Sequence, residues 1–330
     1  RIHWSGINDP TSWLTVGSAS AAAVQSDRQD LPVGGEIMAI TGAIGGMDGA
    51  VFCKKAIYRL SYVGPPTIFN ITEVERDRGP VARNSLVNVG SFGFYVGEEG
   101  FWSFSGSGSQ QIDNQKVDRF FLNDLDQNYI DRVYGAADPV SKMVYWAYAG
   151  QNNSDGQPNK VIIYNWGIDR WSTAEVTQEY MFRNLSVAVT LENLDSFGNL
   201  DALGVSLDDP SWIGGLTSLN SFNSDYKLCR FTGTNLAATL ETQEIGGANR
   251  VFVNAIRPYV DGGTMTVKLK HRVAPTDTVT ETSENSIDAD GQAHFTVSTR
   301  FVRAQVNVAA GGEWTHAQGV DAETVADGSA

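Results

Sequence analysis

The chain has 330 residues, of which 42% are hydrophobic and 19% charged, a globular composition long enough for one large β-architecture or two ordinary domains. Its 24 basic and 38 acidic side chains leave a net charge of −14, which argues against nucleic-acid binding by phosphate neutralisation and against a polybasic membrane-surface role. Two cysteines, Cys53 and Cys229, give neither a disulfide framework nor a Cys-based zinc site, and no apolar run reaches the ~18 residues of a spanning helix.

The first residues, Arg1-Ile2-His3-Trp4, already read as a strand, without Met or the apolar core of a signal peptide, so the chain reads as a piece of a longer polypeptide or a processed one. Period-two alternation of aromatic and β-branched residues then predicts strands at Ile37–Thr41, Ala50–Cys53, Ala56–Val63, Thr67–Val74, Phe92–Val96 and Phe101–Ser105. One helical pattern follows, Gln115 to Asp131, with Val117, Phe120, Phe121, Leu125 and Tyr129 at roughly helical spacing and a break into short turns expected. Strands resume at Val133–Ala137, Met143–Ala149, Lys160–Asn165, Leu185–Thr190, Tyr226–Phe231 and Ala237–Gln243. The last group is Arg250–Val260, Thr264–Arg272, Gln292–Thr299, Val302–Val308 and Thr315–Thr324, before an untethered tail from Ala326 to Ala330. The 34 glycines, about a tenth of the chain, gather with Asp and Asn between these segments, where hairpins need positive φ.

Tyr58, Trp102 and Tyr145 lie about 43 residues apart in similar phrases, aromatic–polar–apolar and then Gly, and Tyr226 lies near two such periods further on. A period of ~40–50 residues with several strands per unit is a propeller signature. Asp9-Pro10-Thr11-Ser12-Trp13 and Asp169-Arg170-Trp171-Ser172 each set a Trp after an Asp turn, as anchors between blades. The rhythm fades at Gly246-Gly247-Ala248-Asn249, which reads as a linker. The fold expected is all-β: a β-propeller of about five to seven blades over residues 1–247, then a C-terminal β-sandwich-like domain over 248–330.

No catalytic, cofactor-binding or metal-binding residue is assigned from the sequence. His3, His271, His294 and His316 show no metal-ligand spacing. Glu98-Glu99 is a carboxylate pair, but adjacent residues between glycines mark a hairpin tip rather than glycosidic chemistry. Asp288-Ala289-Asp290-Gly291 and the stretch from Asn193 to Asp201 resemble fragments of calcium loops and are explained more cheaply as turns. There is no G-x-S-x-G elbow and no phosphate loop. Eight Trp and eleven Tyr offer faces on which sugars stack, although most of them fall in strand phrases that blade packing would use.

Two sets of phrases carry a family resemblance. The first is Trp4-Ser5-Gly6, Asp9-Pro10 and Trp13, then Gly93-Phe94-Tyr95 with Gly100-Phe101-Trp102-Ser103-Phe104, and Val161-Ile162-Ile163-Tyr164-Asn165 with Asp169-Arg170-Trp171-Ser172. The second is Arg257-Pro258-Tyr259-Val260-Asp261-Gly262-Gly263 and Glu313-Trp314-Thr315-His316-Ala317-Gln318-Gly319-Val320-Asp321. Together the chain resembles the tail hub or nozzle proteins of tailed bacteriophages, the packaged-DNA stabilisation or tail-accessory proteins. That resemblance implies a non-enzymatic structural protein of the virion tail, a homo-oligomeric ring of typically six copies below portal and adaptor proteins. It also implies contacts to other tail proteins, such as fibres or a needle, and a conduit through which DNA passes without specific binding; no membrane and no cofactor are implied. An acidic wall fits a conduit along which DNA must slide. The competing reading is a carbohydrate-binding or polysaccharide-degrading β-propeller.

Overall fold

The computed structural model describes residues 1–46, 49–112, 115–151, 153–185, 217–231 and 234–327. It divides into two compact units, Arg1–Phe231 and Thr232–Ala330. The first unit opens with strand β1 (Ile2–Trp4), a short helix α1 (Ala19–Ala23) and β2 (Asp27–Gln29), the two strands forming an antiparallel pair. Three four-stranded antiparallel meanders follow. They are β3–β6 (Ile37–Gly42, Gly49–Cys53, Ala56–Gly64, Ile68–Arg76), β7–β10 (Val87–Asn88, Gly93–Gly97, Gly100–Phe104, Ser109–Gln111) and β11–β14 (Tyr134–Asp138, Met143–Tyr148, Lys160–Asn165, Arg170–Glu175). A three-stranded sheet, β15–β17 (Tyr180–Leu185, Thr217–Phe222, Leu228–Arg230), completes the unit. Between the second and third meanders lie helix α2 (Lys116–Asp124) and a 3₁₀ segment Gln127–Arg132, the broken helix that the sequence predicts between Gln115 and Asp131.

These sheets are the blades of a β-propeller, and their packing shows why the strands read as they do. Along β4, Ala50 and Phe52 pack toward the second blade with Tyr95, Trp102 and Phe104, while Val51 and Cys53 pack with Ile2 of β1 on the other side. Along β8 and β9, Phe94, Val96 and Phe101 meet Val144, Trp146, Ile162 and Tyr164 of the third blade. The other face of that blade, with Tyr134, Ala136, Ala147 and Val161, meets Met181 of β15. Each of the three four-stranded blades is therefore covered on both faces, and strands such as β4 and β8 are buried at every residue. Residues on both faces of a doubly covered sheet are removed from water, so period-two alternation disappears there. The first strands converge: Gly135 N–H donates to the Asn84 carbonyl just before β7 at 2.8 Å, and the Tyr134 and Tyr180 rings lie 4.8 Å apart. Five sheets of this unit fall among the described residues, the lower end of the count expected.

The aromatic repeat is partly real. Tyr58 and Trp102 both stand on the third strand of their blades, but Tyr145 stands on the second and Tyr226 precedes β17 in a turn. The repeat lies instead in the blade starts at residues 37, 87, 134 and 180. Trp171 is an inter-blade anchor, with Phe101 at 4.9 Å and Tyr164 at 4.6 Å. Trp13 is not: it is 56% exposed, donates to the Pro10 carbonyl and meets only His3 edge-on.

The second unit holds β18 (Ala238–Glu241), β19 (Ile245–Val260), β20 (Met265–Arg272), β21 (Thr280–Glu281), β22 (Asn285–Ser286), β23 (Ala293–Val308) and β24 (Ala317–Ala326). Its core-facing residues on β23 change parity, from Ala293, Phe295 and Val297 to Val302, Ala304 and Val306. β19 pairs with β23 from Ala293 to Val302, while β20 pairs with it from Phe301 to Val308 and β18 from Gln305 to Val308. The strand thus bends near Arg300 and serves two layers that close over one core, which gives the sandwich-like character. The unit begins earlier than the expected 247/248 division, because β18 pairs with β23 and Ile245 pairs with Val302. Gly246-Gly247-Ala248-Asn249 is no linker but part of β19, at a register shift.

Among the buried polar atoms without a partner, those of Gln178 stand out because both ends of its amide are unmet. Gln178, just before β15, is fully buried, yet neither its amide oxygen nor its amide nitrogen has a partner among the described residues. An unpaired buried amide costs about 1–3 kcal/mol. Gln178→Met, of similar shape, is therefore expected to raise unfolding free energy by about 1–2 kcal/mol in urea titrations; a fall would show that the amide is bonded.

Candidate functional site

The carboxylates that the sequence offers for glycosidic chemistry do not build a sugar site. Glu98 and Glu99 form the tip of the β8–β9 hairpin, whose last paired residues are Gly97 and Gly100. With Lys54, Asp77, Arg78, Gly79 and Trp102 they line a cleft of about 70 Å³, well below the ~300 Å³ at which small-molecule sites begin. The Trp102 ring is only 6% exposed, and the Arg78 guanidinium covers its face at 3.9 Å. Arg78 is held in turn by Glu75, whose other oxygen accepts the Ser109 N–H at 2.8 Å. This is an ion-paired, aromatic-backed joint between the first two blades.

The four histidines do not meet at one centre. His3 stacks edge-on with Trp13, and His271 lies half-buried in β20, where burial lowers its pKa. His294 Nε2 lies 2.7 Å from Asp288, and His316 Nδ1 lies 3.1 Å from Asp261. The Asp288 loop has turn geometry: Asp288 Oδ1 accepts the N–H groups of Asp290 and Gln292, both at 2.9 Å. Asn193 to Asp201 lie outside the described residues, and among the described residues no cluster of three His, Cys, Asp or Glu is placed to hold a metal. Cys53 is buried in β4 and Cys229 half-buried in β17.

A pocket of ligand size lies elsewhere in the propeller unit, between residues 17–27 and the turn joining β5 to β6. Its volume is about 330 Å³. Its apolar lining is Pro65, Pro66, Ile68 and Ala22, and its polar lining Ser18, Gln25, Ser26 and Asp27. Local chemistry fixes the polar residues. Ser18 caps α1 by accepting the Ala21 N–H at 3.1 Å. Gln25 takes a positive φ of 62° and presents its carbonyl to Trp4 Nε1 at 2.9 Å. Its side-chain oxygen accepts the Tyr62 hydroxyl at 3.0 Å, which leaves the amide N–H groups as donors. Ser26 donates to the Trp4 carbonyl at 2.9 Å, and Asp27 pairs with Trp4 across β1 and β2. Phe69 contacts Trp4 at 5.2 Å and Tyr62 at 5.7 Å, both edge-on, so the ring cluster holds Gln25 in place. Asp27 is the one charged side chain lining the pocket.

Sequence reasoning passed over these residues. The only available signals were Gly64-Pro65-Pro66, a turn phrase, and Gln25-Ser26-Asp27, a polar run with no strand pattern of its own. Neither run carries a motif, and their meeting depends on Trp4 and Tyr62 bridging them.

No family model matches the chain, and no curated protein matches it. Solved structures do match. One is a glycoside hydrolase family 43 arabinoxylan arabinofuranohydrolase from Bacillus subtilis, at 10% identity and TM-score 0.21, over 84% of this chain and 78% of that one. Another is an exo-β-1,3-galactanase from Phanerochaete chrysosporium, at 6% identity and TM-score 0.21, over 84% and 77%. This finding corrects two expectations, the structural tail-nozzle protein and the non-enzyme: the similar structures reported are carbohydrate-active enzymes. Among the phrases behind the tail resemblance, Phe101, Trp102, Tyr164 and Trp171 pack between blades, and any propeller needs such residues between its sheets. At a TM-score of 0.21 the likeness carries no activity across, so the function of this chain is argued from its own residues.

Proposed function

We propose that the chain is a carbohydrate-binding β-propeller whose saccharide enters the pocket between residues 17–27 and Pro65-Pro66. The observation that carries this reading is the mixed lining of a pocket of about 330 Å³, in which Pro65, Pro66 and Ile68 supply apolar surface and Ser18, Gln25 and Asp27 polar groups. A sugar ring has the same division: its C–H face loses little on leaving water, while its hydroxyls demand hydrogen-bond partners. The Asp27 carboxylate accepts from hydroxyls, and the Gln25 amide donates to them.

A glycan array and calorimetric titration test the proposal. The wild-type chain is expected to bind a saccharide. Asp27→Asn and Gln25→Ala should each weaken that binding about 10-fold, the scale of one lost hydrogen bond to a charged or buried partner. Reducing-end release measured on the same glycans reports whether binding leads to cleavage. An array without hits, or affinity untouched in both variants, would overturn the proposal.

A further inference from the structure

The C-terminal unit ends on an open sheet edge. Strand β24 is 10 residues long, pairs only with β19 and forms the last position of its sheet. A strand in that position leaves one row of backbone N–H and C=O groups open to pairing. Eight of its ten residues are exposed, and it contains neither Pro nor Lys, two of the residues that blunt sheet edges. Beside it, Ala255, Arg257, Gln292, Asp321 and Glu323 line a recess of about 210 Å³. Asp321 and Glu323 are two apart on β24 and so share one face of the sheet. Neither has an ion-pair partner within 4.0 Å among the described residues, although Arg257 stands opposite Asp321 in the ladder. Three other acidic side chains of this unit are paired with Lys or Arg: Glu241 with Lys270 and Arg303, Glu244 with Arg272, Glu281 with Lys268.

We propose that β24 is a docking edge for an extended basic segment of another protein, which adds as a further strand and sets Lys or Arg side chains against Asp321 and Glu323. The backbone ladder would supply affinity, and alternate side chains would supply selectivity. Charge decides between occupants. A second copy pairing antiparallel through β24 would bring Asp321 and Glu323 of both chains together, and like charges across a ladder are destabilising. A strand with a basic residue at every second position meets them favourably instead.

The test uses the full chain and two peptides of the strand's own length, one alternating Lys and Val, the other Glu and Val, read by hydrogen exchange and fluorescence anisotropy. The Lys peptide is expected to slow exchange at residues 317–326 at least about 10-fold when bound, and the Glu peptide to leave it unchanged. Asp321→Lys with Glu323→Lys, both at exposed positions, should reverse the preference, and binding of the Glu peptide by that variant also shows that it is folded. Equal protection by both peptides, protection by neither, or a wild-type dimer in sedimentation that itself protects residues 317–326 would overturn the proposal.

Discussion

Trp146→Ala is expected to destabilise the propeller unit by about 3–5 kcal/mol, read as a fall in the denaturation midpoint with little change in slope. Trp146 is fully buried between the second and third blades, with Phe101 at 4.7 Å and Trp171 at 6.2 Å. Truncation opens a cavity against rings already fixed by their neighbours, so the site has little room to collapse. It also removes the donor to the Ser85 carbonyl, bonded to Trp146 Nε1 at 2.9 Å across the blade junction. Trp146→Phe separates the two contributions, keeping most of the packing and losing the bond, worth about 1 kcal/mol. Trp13→Ala is the control: at 56% exposure it should change stability by about 0.5 kcal/mol. Equal effects at Trp146 and Trp13 would contradict the face-to-face packing of the blades.

Gly100→Ala should cost about 3 kcal/mol or more. Gly100 closes the β8–β9 hairpin at φ +125°, a conformation that side chains rarely adopt and that alone costs about 1–3 kcal/mol. A Cβ there would stand 1.9 Å from Asp118 Oδ1. Asp118, in the first turn of α2, is 2% exposed and accepts the Phe101 N–H at 2.9 Å and Gln111 Nε2 at 2.8 Å. Moving it leaves buried donors without their acceptor, about 1–3 kcal/mol more. Gly90→Ala, at φ +88° with open space around its Cβ, isolates the backbone contribution. A double-mutant cycle of Gly100→Ala with Asp118→Ala should give a combined loss smaller than the sum of the single losses. Strict additivity would show that the helix does not depend on this contact.

Most strands were legible because their residues are β-branched and aromatic between glycine turns, and Lys160–Asn165 matches its predicted bounds. Among the strands overlooked, which include Tyr180–Leu185 and Thr217–Phe222, several have another balance. Asp27–Gln29 and Ser109–Gln111 are polar edge strands, and Arg170–Glu175 lies at the outer side of its blade, where four of its six residues are exposed. Polar residues tolerated by solvent leave no apolar period to read. Blade phase was misjudged for the reason that spacing alone does not say which strand of a meander an aromatic occupies. Tyr58 and Trp102 keep phase, while Tyr145 is one strand early because α2 and its 3₁₀ successor intervene between the second and third blades. The pocket was the least legible part. Gln25 is placed by Trp4 and Tyr62, residues 21 and 37 positions away, and such contacts exist only after the first blade has formed.

The bend in β23 couples parts of the C-terminal unit that never touch as strands. β20 pairs with its second half and β19 largely with its first, so any opening that releases β23 exposes amides in both. Under conditions where exchange proceeds through unfolding, the amides of Leu269 and Val253 should therefore share one opening free energy, and this unit should melt as a single step with no separable half.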